Sequence, residues 1–336
     1  MANTLEPVRF GGVCLSGLRR GVIGVFALAL LGTPAGAKLT QDKSCFARAL
    51  PTDIRDHGLD DAKLLTGWVF DAAAAHHVSK AGDIVDRRSG LKDVPGFAGA
   101  TDLGGLRGRY RVMRAPFDLG HGYYGIELGA LTSSNRISNI LLINRLFRLP
   151  IVLHQPIGVA TDVATNGAML FGWQSKSVKD ANSAAATASG DAVELGVPLL
   201  TVGQSQAGGV AQLQIAYLTA KVPHRPLLTG FVTLNAAHVD SSVRRLGLGP
   251  GTIDGINFVK DLDPGFGPHG LLPNRIGLQV YIHPDGTGSD QPGHQSAFAA
   301  WGHAGEHLLS TFNRVSLGQA LASTLRKTKE LCPADP

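Results

Sequence analysis

Charge is scarce in this chain of 336 residues. Asp, Glu, Lys and Arg make up 17% of it, and the net charge is +5. No run concentrates that excess, so the sequence carries no electrostatic footprint of a nucleic-acid partner. Long apolar runs are also missing. GVIGVFALALLG (21–32) is too short to span a bilayer comfortably, which excludes a multi-span membrane protein. No fixed-period repeat is present, and no Ser- or Pro-rich linker divides the chain. Hydrophobic residues make up 44%, which excludes intrinsic disorder. These absences leave one large globular domain, 38–336, preceded by a short leader.

The leader reads as an address. Arg19-Arg20, the apolar run and the small-residue end Ala35-Gly36-Ala37 have the order of a secretory signal peptide over 1–37. Cleavage is expected before Lys38, giving a secreted or periplasmic protein. Cysteine is rare, with three in the chain. Loss of the leader removes Cys14 and leaves Cys45 and Cys332. In an oxidising compartment these two are expected to form one disulfide. It would close nearly the whole mature chain, for which loop entropy gives roughly 4–5 kcal/mol.

Residues 60–78 have helical spacing of Leu64, Leu65, Trp68, Val69 and Ala72 behind Asp60 and Asp61. The stretch 82–105 reads as loop, and 108–114, 122–130 and 138–144 as strands. Beyond them, apolar runs at 149–155, 197–203, 227–237, 254–260 and 276–282 alternate with helical stretches, notably 206–221 and 306–328. That alternation predicts an α/β fold with a mostly parallel central sheet and helices on both faces. The small, polar segment 176–192 fits either a helix or a mobile flap. Arg107, Arg109 and Arg111 alternate and would share one solvated face of a strand.

The most informative stretch is Gly203-Gln204-Ser205-Gln206-Ala207-Gly208, between an apolar strand and a helix. It fits the G-x-S-x-G turn that lifts a serine hydroxyl above a sheet edge, with Ala207 in the place of the last Gly. Small residues are needed because the serine must take a strained backbone conformation. Ser205 is the one serine in the chain with Gly two places before it. A nucleophilic serine needs a base and an orienting acid, in the order Ser, Asp or Glu, His. Asp261 and Asp263, just past the NFVK run, are candidates for the acid. His307, His303 and His294 are candidates for the base. His303, Glu306 and His307 also spell H-x-x-E-H, a zinc motif. Downstream, Glu330 and Asp335 are the acids left to complete it, so no metal is expected.

With these residues in view, the chain resembles the class 3 lipases, the fungal-lipase-like branch of the α/β-hydrolases, over roughly 149–312. GQSQAGG is similar to the family's G-H-S-x-G-G, with Gln204 for His. FVTLNAAHVDSS (231–242) follows its next strand, FVKDLDPGFGP its acid segment and EHLLSTF its histidine segment. The resemblance implies an α/β-hydrolase fold and a triad of Ser205, Asp263 and His307. It also implies oxyanion donors at the backbone N–H groups of Gln206 and Ile157, with Gln155 in reserve, since Pro156 has none. HQPIGVATD (154–162) departs from the family's R-G-T there. The implied chemistry is hydrolysis of carboxylic, lipid-type esters with no metal or organic cofactor. The implied partners are an ester or lipid substrate and, transiently, a lipid surface, with no nucleic acid. The alternative is a secreted binding protein of the same fold without turnover.

Overall fold

A computed structural model describes residues 43–74, 79–89, 103–118, 123–145, 175–260, 276–291, 312 and 315–328. In chain order these contain α1 (Lys43–Ala49), a π-helical turn (Ile54–Gly58) and α2 (Leu59–Ala74). Five strands follow: β1 (Ile84–Val85), β2 (Arg109–Val112), β3 (Phe117–Asp118), β4 (Tyr124–Leu131) and β5 (Ile137–Arg145). Then come α3 (Lys176–Leu195), β6 (Leu199–Gln204), α4 (Ser205–Lys221), β7 (Thr229–Leu234) and α5 (Asp240–Arg245). The series ends with β8 (Gly255–Lys260), β9 (Leu278–Ile282), β10 (Gly288–Ser289) and α6 (Leu317–Lys327).

The described strands form one sheet in the order β1-β2-β4-β5-β6-β7-β8-β9-β10, with β3 beside β4. From β5 to β9 the pairings are parallel. The margins, β1 to β5 and β9 to β10, are antiparallel. This is an α/β fold, with the expected parallel order confined to the middle. Physical reach explains the β4–β5 pairing: the two strands are joined by five residues, enough for a hairpin and too few for a crossover.

The sheet separates two cores. On one face Leu200, Val202, Val232, Ile256 and Phe258 pack with Phe46 of α1, Trp68 and Val69 of α2 and Leu321 of α6. On the other, Ile140, Leu142 and Phe231 pack with α3 and α4. The central strands are therefore buried on both sides, one face apolar and the other carrying the buried polar residues Thr201, Thr233, Asn257 and Gln279.

The 176–192 segment is helix. Ser175 caps it, accepting from the Val178 N–H at 3.3 Å, and Gly196 ends it at φ +66°. Val178, Ala181, Ala184, Ala185, Ala188 and Ala192 are buried in the second core, so α3 is a covering helix and not a flap. At the other end the expectation of one helix over 306–328 is corrected. α6 starts at Leu317, because the extended Ser316 caps it by accepting from the Gln319 N–H at 3.3 Å. The expected strand at 149–155 lies outside the described residues. In β2, Arg109 is exposed and Arg111 half-buried while Tyr110 and Val112 face the core, as the alternation predicts.

Candidate active site

The turn from β6 into α4 carries the candidate nucleophile. Gln204 ends the strand in an extended conformation, at φ −118° and ψ 149°. Ser205 follows at φ +53°, in the left-handed region that side chains resist. Two close approaches make this turn fit. A side chain at Gly203 would come within 2.8 Å of the Gly208 nitrogen, and nearer still to the Ala207 carbonyl. One at Gly208 would meet the Ala236 methyl at 2.9 Å. The glycine that the helix needs after the serine is therefore Gly208, while Ala207 is tolerated as a buried methyl. Ser205 itself is half-buried, and it opens a helix whose first N–H groups lack intrahelical acceptors.

Neighbouring strand ends are tied to this turn. The Ala237 N–H donates to the Ser205 carbonyl at 2.8 Å. Asn235, at φ +45°, accepts from the Lys260 N–H through its Oδ1 at 3.0 Å. Beneath them a side-chain ladder crosses β7, β8 and β9. The Thr233 hydroxyl donates to Asn257 Oδ1 at 2.9 Å, and Asn257 Nδ2 to Gln279 Oε1 at 2.8 Å. Gln279 Nε2 then donates to the Ile276 carbonyl at 2.7 Å. On the α3 side, Gln214 and Asn144 exchange amide hydrogen bonds at 2.8 and 2.9 Å, and the Tyr123 hydroxyl donates to Asn144 Oδ1 at 2.8 Å. Buried polar groups satisfied in this way hold one register and one helix position.

The structure describes Gly203, Ser205, Gln206 and Ala207 together at this turn. Gln206 is buried in the first turn of α4. Asp263, His307, Ile157, Gln155, Asp261, His294, His303 and Cys332 lie outside the described residues. Cys45 lies half-buried in α1. Flanking contacts bear on the stretches that hold Asp263 and His307. The Lys260 ammonium lies 5.7 Å from the centre of the Phe312 ring. Lys260 precedes Asp263 by three residues, and Phe312 follows His307 by five. The strand end and the late segment thus meet in the described structure.

One residue beside the turn escapes the sequence reading. His238 follows Ala237, and its Nε2 stands 4.0 Å from the Asp240 carboxylate with 14% of the side chain exposed. The available signal was a histidine just past an apolar strand with an acid two residues on. Farther along the same edge, His283 Nε2 lies 2.9 Å from the Ser289 hydroxyl. Among the described residues no group of three His, Cys, Asp or Glu side chains could hold a metal. None of their helices is long and apolar enough to cross a membrane.

No protein-family model and no curated protein matches the chain. Among solved structures it is similar to the native propeptide complex of Rhizomucor miehei lipase, at 12% identity. That likeness covers 82% of this chain and 88% of the other, with a TM-score of 0.43. It is also similar to the lipase of Rhizopus microsporus var. chinensis, at 14% identity over 87% of this chain and 95% of that one, with a TM-score of 0.44.

Proposed function

We propose that this chain is a secreted serine hydrolase of the α/β-hydrolase fold that cleaves carboxylic, lipid-type esters. The observation that carries the reading is Ser205 at φ +53° on the strand-to-helix turn, with the space at Gly203 and Gly208 that such a turn demands. Strain of this kind persists where the surroundings over-determine it, and it presents a hydroxyl at a helix N-terminus. The meeting of Lys260 with Phe312 supports the assignment of the acid and base to the flanking segments.

In the proposed reaction the Ser205 oxygen attacks the ester carbonyl carbon and His307 takes the hydroxyl proton. Asp263 holds the imidazole in the required tautomer and stabilises the imidazolium. The N–H groups of Gln206 and Ile157 donate to the tetrahedral oxyanion. Collapse breaks the ester C–O bond, and His307 returns its proton to the leaving alcohol. A water then attacks the acyl-enzyme, giving its proton to His307, and the acid is released with Ser205 reprotonated. No nucleic acid takes part, and the substrate is a small ester or lipid.

The test is a fluorophosphonate probe on the purified protein, read by intact and peptide mass. The expected result is one adduct, on Ser205, absent in Ser205→Ala. Labelling should slow by orders of magnitude in His307→Ala and stay near the parent rate in His238→Ala. A folded protein that takes no adduct would overturn the hydrolase reading in favour of a binding protein. The reverse pattern of the two histidine variants would move the base to His238.

A further inference from the structure

Apolar side chains in solvent are few, and they gather. Among the described residues four large ones are exposed: Ile84, Val193, Leu195 and Leu227. One exposed leucine is ordinary. Three of these four, however, stand at one edge of the sheet, where the parallel strands β6 and β7 begin. Val193 and Leu195 close α3 just before β6, and Leu227 lies between α4 and β7. Its side chain stands fully in solvent.

Leu227 is not on slack chain. The Thr229 hydroxyl donates to the Pro226 carbonyl at 2.6 Å, and the Leu199 N–H to the Leu228 carbonyl at 3.1 Å. The residues on both sides of Leu227 are thus tied down while its own side chain is held out. Similar bonds join the neighbouring loops. The Ile140 N–H donates to the Pro198 carbonyl at 2.8 Å, and the Phe231 N–H to the Asp254 carbonyl at 3.2 Å. Arg109 Nη1 donates to Asn135 Oδ1, on the β4–β5 hairpin, at 3.1 Å. The starts of β2, β5, β6, β7 and β8 therefore form one braced row. The strand order β2-β4-β5-β6-β7-β8 sets its length at about 24 Å.

The row is basic. It carries the exposed Arg107, Arg109, Arg136 and Lys221 and the half-buried Arg225, against Glu194 and Asp254. His224, also exposed, adds to the excess when protonated. Apolar tips set among cations suit a bilayer with anionic headgroups. Phosphates accept from guanidinium and ammonium groups, and the acyl boundary below takes the apolar side chains. A folded protein partner would need a contiguous dry patch of about 800 Å² on each side. Single side chains on separate loops do not make one. We propose that this edge docks on an anionic lipid bilayer, with Leu227, Leu195 and Val193 entering the headgroup layer. Ser205 follows the other end of β6, six residues and about 20 Å away. Docking turns that end toward solution, so the inference is independent of the chemistry at Ser205.

The experiment uses the protein without residues 1–37, which contribute none of the described elements and whose apolar run would bind vesicles by itself. It reads sedimentation with phosphatidylglycerol vesicles and with phosphatidylcholine vesicles, at low ionic strength and in about 0.5 M NaCl. The protein should sediment with the anionic vesicles alone, and salt should release it. Leu227→Ser should weaken binding about tenfold, and Arg136→Glu about tenfold or more. Both side chains are exposed, so both variants should melt with the parent. Lys176→Glu, at the start of α3 on the opposite edge, should bind as the parent does. The emission of Leu227→Trp should shift to the blue on the anionic vesicles, beyond any change in the parent. Absence of binding at low ionic strength would overturn the proposal. Parent-like binding in both Leu227→Ser and Arg136→Glu would also overturn it, by placing the contact on another surface. Weaker binding in Arg136→Glu alone, with no blue shift, would replace the bilayer with a soluble polyanion.

Discussion

Ser205 is held at φ +53°, where a side chain crowds its own carbonyl. The cost of such a residue is of order 1 kcal/mol, and the packing at Gly203, Gly208 and Ala236 sustains it. Glycine bears no such cost. Ser205→Gly should therefore abolish ester turnover while raising stability by about 1 kcal/mol, less its greater unfolded-state entropy. Ser205→Ala should abolish turnover with little change in stability. Melting curves of the two variants side by side check this, and a Ser205→Gly protein that melts below Ser205→Ala would contradict it. The residue scale was the most legible in the sequence. A lone G-x-S after an apolar run marks the turn, and the Ala207 that stands in the place of the last Gly is accommodated as a buried methyl. His238 was hardly legible, because its linear signal, an acid two residues on, is common, and it comes to the turn through the bond from Ala237 to Ser205.

At the scale of elements, α3 is fastened to the sheet by an unusual cluster. Arg114, just after β2, pairs with Asp191 of α3 through a 2.7 Å bond from its Nε and a second contact from Nη2. The same guanidinium lies 3.5 Å from Glu127 of β4, which is fully buried. Burial foremost, then hydrogen bonding to Asp191 and the Asp191 charge, push the Glu127 carboxyl up to about 8, against a partial pull from Arg114. In the unfolded chain this carboxyl ionises near 4.5. The folded state thus holds more protons between those values, so stability falls as pH rises through that window and levels off above about 8. Glu127→Gln removes the titration. Its melting temperature should match the parent near pH 4 and exceed it at pH 9, by a gap worth on the order of a few kcal/mol. A parent protein whose gap to the variant stays constant from pH 4 to 9 would contradict the assignment. Elements were legible where composition was strongly apolar, as in the ILLI core of β5 and the LLTVG of β6. They were not where side chains are small. The alanines of α3 carry too little hydrophobic contrast to mark a face, although they let the helix sit close on α4. The start of α6 was misread because apolar residues continue on both sides of the Ser316 cap.

At the scale of the whole molecule, α1 meets α6. Arg48 donates to the Leu325 carbonyl at 2.9 Å and to the Thr328 carbonyl and hydroxyl at 3.3 and 3.2 Å. Cys45 lies one turn before Arg48, and Cys332 is four residues past Thr328, a reach of about 14 Å at most. This proximity supports the proposed Cys45–Cys332 disulfide. A protein lacking residues 1–37 should then take no iodoacetamide until it is reduced, and two equivalents afterwards. Cys45→Ser should cost about 2–5 kcal/mol in a denaturant melt. Two adducts on the unreduced protein would rule the bond out.

The bonds from the buried Lys63 ammonium of α2 to the Phe312 and Val315 carbonyls, and from Ser316 and Leu317 to Asp60, bear on the order in which the molecule is made. The partners of Lys63 are 249 and 252 residues downstream of it. While the ribosome is still adding β6 to β9, Lys63 and Asp60 have nothing to close upon, and one face of the sheet lacks α6. Contacts so distant in sequence form late. The first core is thus completed by α6, the last of the described helices, and stays open until that helix has emerged.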